Sequence, residues 1–155
     1  MTRILVTGCQ RSGTTIAAHI ISQDKGLHYI DENEFLKDQT IPPDSVVQAP
    51  FVLKFSVELS IQYPDLHIIK MVRHKQDIIA SMKRVNWHPE LAPHYDTLID
   101  HFEAVWKISK LHIPADRYTE LPYRSLSAHP LFVKDRSHFT LRQWKNQLST
   151  ESAVF

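Results

Sequence analysis

A glycine-bounded loop near the start of the chain carries residue types suited to binding an anion. It follows the short apolar run Ile4–Val6 and is followed by apolar residues at helical spacing, so we place it between a strand and a helix. Backbone N–H groups in such a loop can surround an anion, and the N-terminus of the helix adds partial positive charge. Arg11 supplies a fixed charge, and Gly13 permits close backbone approach. The predicted anion-binding residues are Gln10, Arg11, Ser12, Gly13, Thr14 and Thr15.

The pattern of this loop restricts which anion it binds. Its glycine spacing matches the nucleotide P-loop G-x-x-x-x-G-K-[ST], but Thr14 replaces the lysine that would reach the terminal phosphates. The cation lies inside the loop instead, at Arg11, which disfavours a magnesium–triphosphate site. A thiol phosphatase needs an arginine six positions after its cysteine, and Thr15 stands six positions after Cys9. We therefore interpret Cys9 as a small loop residue and not as a nucleophile.

A second cationic segment follows a predicted strand, Leu66–Val72. Arg73 lies at the end of that strand, and Ser81 comes eight positions later in a helix predicted over Gln76–Arg84. An arginine at a strand end can donate two parallel hydrogen bonds to a phosphate, and a serine two turns into the helix can point back to the same site. Arg84 lies three residues after Ser81 and shares its face. These residues form a second predicted anion site.

Both segments resemble the nucleotide-binding motifs of the sulfotransferases. The stretch 11–15 is similar to the loop that binds 5′-phosphosulfate, in the arginine form of tyrosylprotein and many bacterial sulfotransferases, and Arg73 with Ser81 resembles the 3′-phosphate motif. His74-Lys75 stands where asparagine-proline is common in the family. The resemblance implies that the donor is 3′-phosphoadenosine 5′-phosphosulfate (PAPS), that the product is adenosine 3′,5′-bisphosphate (PAP), and that no metal is needed. It implies a small-molecule, sugar or peptide acceptor that carries a hydroxyl or an amine.

Glu32 is the predicted general base of such a transfer, because one group must take the proton of the acceptor. It follows a predicted strand, His28–Ile30, in what we expect to be an extended segment. It lies 21 residues after Arg11, the separation at which the resemblance places the catalytic glutamate of tyrosylprotein sulfotransferases. Asp31 and Glu34 are nearby rivals for the same role.

Arg11 and Lys54 are the predicted cationic residues of the reaction, since negative charge develops on the leaving phosphate. Lys54 lies at the end of a strand that we predict over Phe51–Phe55, although Val46-Val47 competes for that strand. It resembles the lysine of the family's lysine–threonine–histidine segment, in which Ser56 here replaces the histidine. A final predicted helix, Thr140–Leu148, carries the basic residues Arg142 and Lys145, which by resemblance approach the nucleotide.

The order of elements predicts the fold. Strands alternate with helices, which is typical of a parallel sheet covered on both faces, and the informative segments 9–15, 31–34 and 73–84 all follow predicted strands. We predict one α/β domain over 1–155, a P-loop-like three-layer α/β/α structure with a central parallel sheet.

Composition bounds the remaining classes of function. The net charge of +1 argues against broad capture of nucleic acid or membrane, so any anion site must be local. The chain has one cysteine, which permits no disulfide within it. No apolar run reaches the roughly 20 residues of a membrane span. We therefore expect a cytoplasmic protein. We also expect no metal site, because no histidine falls in a metal-binding spacing. An ATP-dependent small-molecule kinase with an unusual loop, or a nucleotide-binding module without catalysis, are the alternative interpretations.

Overall fold

Five parallel strands form one sheet in the computed structural model, which describes residues 1–132 of the 155-residue chain. The strand order is β2-β3-β1-β4-β5. The strands are β1 (Arg3–Thr7), β2 (His28–Ile30), β3 (Ser45–Gln48), β4 (Leu66–Val72) and β5 (Tyr118–Pro122). The α-helices are α1 (Thr14–Lys25), α2 (Glu32–Asp38), α3 (Ser56–Gln62), α4 (Lys75–Arg84) and α5 (Tyr95–Ser109). Short 3₁₀ helices span Pro50–Phe55, Pro89–His94, Lys110–His112, Ala115–Arg117 and Tyr123–Leu126.

The strands are apolar on both faces because helices cover both sides of the sheet. In β1, Leu5 belongs to one core cluster, which it shares with Trp106 of α5. Its neighbours Ile4 and Val6 belong to a second cluster, which includes Ile16 of α1. The two clusters lie on opposite faces, since successive residues of a strand point in opposite directions. The predicted α/β architecture with a central parallel sheet is therefore confirmed.

The third strand contains the competing candidate Val46-Val47, and the prediction of a strand over Phe51–Phe55 is wrong. Ser45–Gln48 forms β3, which is fully buried and pairs with β1, while the predicted strand Phe51–Phe55 lies in a 3₁₀ helix. Pro50 occupies the first turn of that helix, a position where its missing N–H costs nothing. Phe51 is 47% exposed and Phe55 is 42% exposed, so this apolar run does not belong to the sheet.

The three informative segments all lie at the carboxyl ends of the parallel strands, and the structure brings those after β1 and β4 into contact. They follow β1, β2 and β4 directly, and β1 and β4 are neighbours in the sheet. The segment after β2 is not extended as we expected, because α2 begins at Glu32. No helix in the described part of the chain is long and apolar enough to cross a membrane. The predicted helix Thr140–Leu148, with Arg142 and Lys145, lies outside the described residues.

Candidate functional site

The loop between β1 and α1 is folded tightly against the sheet. Gly8, Arg11 and Gly13 have φ angles of 140°, 67° and 100°, and a left-handed conformation is uncommon for a residue such as arginine. The backbone N–H of Ser12 donates to the carbonyl of Cys9 at 3.1 Å, which closes a turn. Gly13 caps α1 without a side-chain hydrogen bond, so no side chain occupies the first N–H groups of the helix. That end of α1 is suited to an anion.

The two predicted anion-binding segments form a single cluster. The guanidinium Nε of Arg11 donates to Ser81 Oγ at 2.8 Å, and Nη2 of Arg84 donates to the same oxygen at 3.3 Å. Nη1 of Arg73 donates to the carbonyl oxygen of Arg11 at 2.7 Å. Ser81 is fully buried and Arg11 is 4% exposed, whereas Arg84 is exposed. Two guanidinium groups, those of Arg11 and Arg84, thus share one serine hydroxyl, and the third, that of Arg73, binds the backbone of Arg11 beside them.

Tyr123 is a member of this cluster that the sequence analysis missed. It follows the end of β5, and its ring centre lies 4.1 Å from the guanidinium carbon of Arg73, within the range of a cation–π contact. A Cβ atom added to Gly13 would lie 2.4 Å from Tyr123 Cδ1, so the ring lies directly against the loop. The signal for it was an aromatic residue just beyond a predicted strand, at the edge where the other site residues lie.

Thr14 and Thr15 occupy the lysine and Ser/Thr positions of the P-loop pattern, and within residues 1–132 no acidic side chain is hydrogen-bonded to either hydroxyl. In P-loop NTPases that Ser/Thr and an acidic side chain hold a magnesium ion. Here Gln48, at the end of the neighbouring strand β3, donates through Nε2 to Thr14 Oγ1 at 2.9 Å. Residues 1–132 contain no group of three or more His, Cys, Asp or Glu side chains arranged for a metal ion. Thr15 Oγ1 is buried and has no hydrogen-bond partner within the same residues, so it can donate to a bound anion.

Glu32 differs from its two acidic neighbours. Asp31 caps α2 by accepting a hydrogen bond from the backbone N–H of Glu34 at 2.8 Å, and Glu34 is exposed. Glu32 is partly buried, and its Oε2 accepts from the backbone N–H of Phe51 at 2.7 Å. Burial raises the pKa of Glu32 above its usual value, the Phe51 hydrogen bond opposes that shift, and the charge of Asp31 adds to it. A raised pKa makes this carboxylate a better proton acceptor than an exposed one.

Lys54 does not lie at a strand end, because Pro50–Phe55 is helical. Its side chain is exposed, and Nζ lies 4.3 Å from the ring centre of Phe51 and 5.3 Å from that of Phe55. Phe51 therefore contacts Lys54 through its ring and Glu32 through its backbone. Lys54 also lines a cavity of about 340 Å³ that Gln10 of the first loop borders. The other lining residues are Phe51, Leu53, Trp87, His88, Leu91, Leu98, His101, Phe102 and Val105.

Cys9 is unsuited to nucleophilic chemistry. The side chain is 1% exposed, within an apolar cluster that includes Ile78 and Met82 of α4. Burial, with a smaller contribution from the charge of Glu103, raises the pKa of the Cys9 thiol to about 12. A thiol reacts as its thiolate, so this cysteine is inert at neutral pH.

Comparison with known proteins supports the fold. No family model and no curated protein sequence matches the chain. A sulfotransferase from Alicyclobacillus acidocaldarius is similar in structure, with a TM-score of 0.57 at 13% identity over 88% of this chain and 79% of that one. The sulfotransferase domain of the curacin biosynthetic pathway gives 0.55 at 13% identity over 88% and 72%.

Kinases share the same architecture. Deoxyadenosine kinase from M. mycoides, solved with bound dCTP, has a TM-score of 0.55 at 12% identity over 86% of this chain and 96% of that one. Identities this low show the fold and leave the activity to the residues of the site. The chain has the α/β P-loop-like fold that sulfotransferases and nucleoside kinases share.

Proposed function

We propose that this chain is a sulfotransferase that moves the sulfuryl group of PAPS to a hydroxyl or amine of an acceptor. The observation that carries the proposal is the single cluster formed by Arg11, Arg73, Ser81 and Arg84 in the segments that follow the adjacent strands β1 and β4. A nucleotide phosphorylated at both its 3′ and 5′ positions needs two cationic sites close together. Thr14 stands at the lysine position of the P-loop and is hydrogen-bonded to the amide of Gln48, so it supplies no cation for a terminal phosphate, which favours this function over ATP-dependent transfer.

The roles of the residues follow from their positions. The first loop and the N-terminus of α1 bind the 5′-phosphosulfate, while Arg73, Ser81 and Arg84 bind the 3′-phosphate. Glu32 takes the acceptor proton as the acceptor oxygen or nitrogen forms its bond to sulfur. The bond from sulfur to the bridging phosphate oxygen breaks, and the negative charge left on that phosphate is stabilised by cationic residues, with Lys54 and Arg11 as the candidates.

Binding of PAP without a divalent metal tests the nucleotide site. At 100 times its dissociation constant, PAP should add about 2.7 kcal/mol to the free energy of unfolding, measured by thermal or urea denaturation in EDTA. Stabilisation by ATP–magnesium with none by PAP would favour a kinase and reject the proposal.

Arg84→Ala tests the assignment of the 3′-phosphate. The variant should lose about 1.5–3 kcal/mol of PAP binding while its affinity for AMP, which lacks that phosphate, changes little. Lys83→Ala is the matched control, because Lys83 is an exposed cation on the same helix. Equal losses in both variants, or equal losses for both ligands, would show that the 3′-phosphate lies elsewhere.

Glu32→Gln tests the catalytic base. It keeps the acceptor of the Phe51 hydrogen bond but cannot take a proton, so turnover should fall about 10²- to 10⁴-fold with PAP affinity nearly unchanged. Asp31→Asn is a suitable control because asparagine also caps helices well, and Glu34→Gln changes an exposed side chain. Near-normal turnover in Glu32→Gln would place the base at another residue, whereas loss in all three variants would indicate a general effect on α2.

A further inference from the structure

The cavity beside the first loop has the location of an acceptor site. Gln10 borders it from the predicted phosphosulfate loop, and Lys54 borders it from the Pro50–Phe55 helix. Phe51 also lines it, and the backbone N–H of Phe51 donates to Glu32, the proposed base. Its volume of about 340 Å³ falls within the usual range of small-molecule sites, about 300–1,000 Å³.

The walls of this cavity are hydrophobic. Phe51, Trp87 and Phe102 supply aromatic surface, and four aliphatic side chains, Leu53, Leu91, Leu98 and Val105, complete an apolar majority of the lining. A sugar placed here would leave several hydroxyl groups against hydrocarbon without hydrogen-bond partners, and each unpaired group costs binding free energy. An acceptor with one reacting hydroxyl on an apolar body fits these walls better.

The charges at the cavity favour a neutral or anionic acceptor. Within residues 1–132, no carboxylate lines it, whereas Lys54 and His101 do. His88 also lines it, but its Nδ1 is 3.2 Å from Glu90, so a positive charge on that ring would be paired. Glu32 is hydrogen-bonded to the backbone of Phe51 and does not itself line the cavity, so it is reserved for the reacting group of the acceptor. An ammonium group elsewhere on the acceptor would lose water and find no carboxylate among the described lining residues.

A second cavity extends this apolar surface along α5. It also measures about 340 Å³ and shares Leu91, Leu98 and His101 with the first. Its remaining lining residues in the described chain, His94 and Thr97, include no carboxylate. The two cavities together provide room for a molecule longer than a single ring.

We infer that the acceptor is a hydrophobic alcohol or phenol, neutral or anionic, bound in this cavity next to Gln10 and Lys54. The inference rests on the proposed function, because it assigns the second substrate of that reaction. It narrows the acceptor from any hydroxyl or amine to one class, and it excludes free sugars and cationic amines.

Isothermal titration with matched probes tests the class of ligand. We expect 4-ethylphenol to bind the protein, and tyramine, which adds an ammonium group to the same skeleton, to bind at least tenfold more weakly. Glucose should give no measurable binding. Equal affinity for 4-ethylphenol and tyramine, binding of glucose, or no binding of 4-ethylphenol would overturn the inference.

A pocket-filling substitution tests the location. Leu91 lines both cavities and is 37% exposed, so Leu91→Trp narrows them without disturbing the core, and 4-ethylphenol should bind at least tenfold more weakly. Leu111→Trp is the matched control, because Leu111 is 77% exposed and lines neither cavity, and its affinity should equal that of the wild type. Equal affinity in the two variants would overturn the assignment.

PAP-induced stabilisation, measured on the same samples, separates the two proposals. If PAP stabilises the protein but 4-ethylphenol does not bind, the proposed acceptor class is rejected and the proposed sulfotransferase function stands. If 4-ethylphenol binds, Leu91→Trp abolishes that binding and PAP does not stabilise the protein, the sulfotransferase function is rejected. The cavity is then supported as a site for hydrophobic phenols.

Discussion

Gly13→Ala should disrupt the loop between β1 and α1, the predicted anion-binding loop, more than an ordinary glycine substitution does. Gly13 has a φ of 100°, a conformation that L-residues rarely adopt, and a new Cβ would lie 2.4 Å from Cδ1 of Tyr123 and 2.9 Å from its Cε1. The ring cannot move away freely, because it also contacts the guanidinium of Arg73 at 4.1 Å and packs edge-on against the ring of Phe132 at 5.4 Å. The substitution therefore combines backbone strain with a steric clash at the centre of the site.

The two costs can be separated with a control in the same helix. Gly26 ends α1 with a φ of 65°, and a Cβ there would meet nothing within 4 Å. Gly26→Ala should therefore lower the free energy of unfolding only by the cost of a left-handed backbone conformation for alanine, about 1–2 kcal/mol. Gly13→Ala should lower the free energy of unfolding by about 2–5 kcal/mol, because the clash of the new Cβ with the Tyr123 ring adds about 1–3 kcal/mol to the backbone strain.

Urea unfolding of a double-mutant cycle measures the clash directly. In a Tyr123→Ala background, Gly13→Ala should cost about as much as Gly26→Ala, because the ring that the Cβ meets is gone. A cost for Gly13→Ala that equals the Gly26→Ala cost in the wild-type background, or that is unchanged by Tyr123→Ala, would refute the packing of Tyr123 on the loop.

Three further predictions concern buried titratable groups. Burial raises the pKa of Glu32, so ionised Glu32 destabilises the folded protein above that pKa. Glu32→Gln should therefore be more stable than the wild type at pH 7 and lose that advantage at pH 4, where the wild-type carboxyl is protonated. Urea unfolding at both pH values measures the difference. With a pKa of about 12, Cys9 should react with a thiol reagent at pH 8 only after unfolding, and rapid labelling of the native protein would contradict its burial. Lys70 is 1% exposed and its Nζ lies 2.7 Å from Oε1 of Glu103, whose side chain is 50% exposed, so Glu103→Gln should lower the free energy of unfolding by about 1–3 kcal/mol and Lys70→Met by less; equal losses in thermal denaturation would argue against an uncompensated buried charge.

The amino-acid sequence by itself determined the alternation of elements and the chemistry of the loops. Apolar runs that end at Gly8, at Asp31 and at Arg73 identified β1, β2 and β4, and the polar residues after them contain most of the site. These features are local, since a strand needs only a short apolar run and an anion-binding loop needs only the residues that follow it. The sequence failed at Phe51–Phe55, where an apolar run could be a strand or a short helix, and periodicity cannot distinguish the two.

Only the tertiary structure decided which of these loops meet. Arg11 and Ser81 are 70 residues apart, and Arg73 reaches a carbonyl 62 residues away, because β1 and β4 are adjacent in the sheet. Strand order depends on the packing of all the helices against both faces, which local patterns do not encode. The same long-range packing brings the Tyr123 ring into contact with Gly13. It also brings Glu32 to the backbone N–H of Phe51, which is 19 residues later in the chain. The sequence supplied the polar and charged residues, and the strand order brought those that follow β1 and β4 into contact.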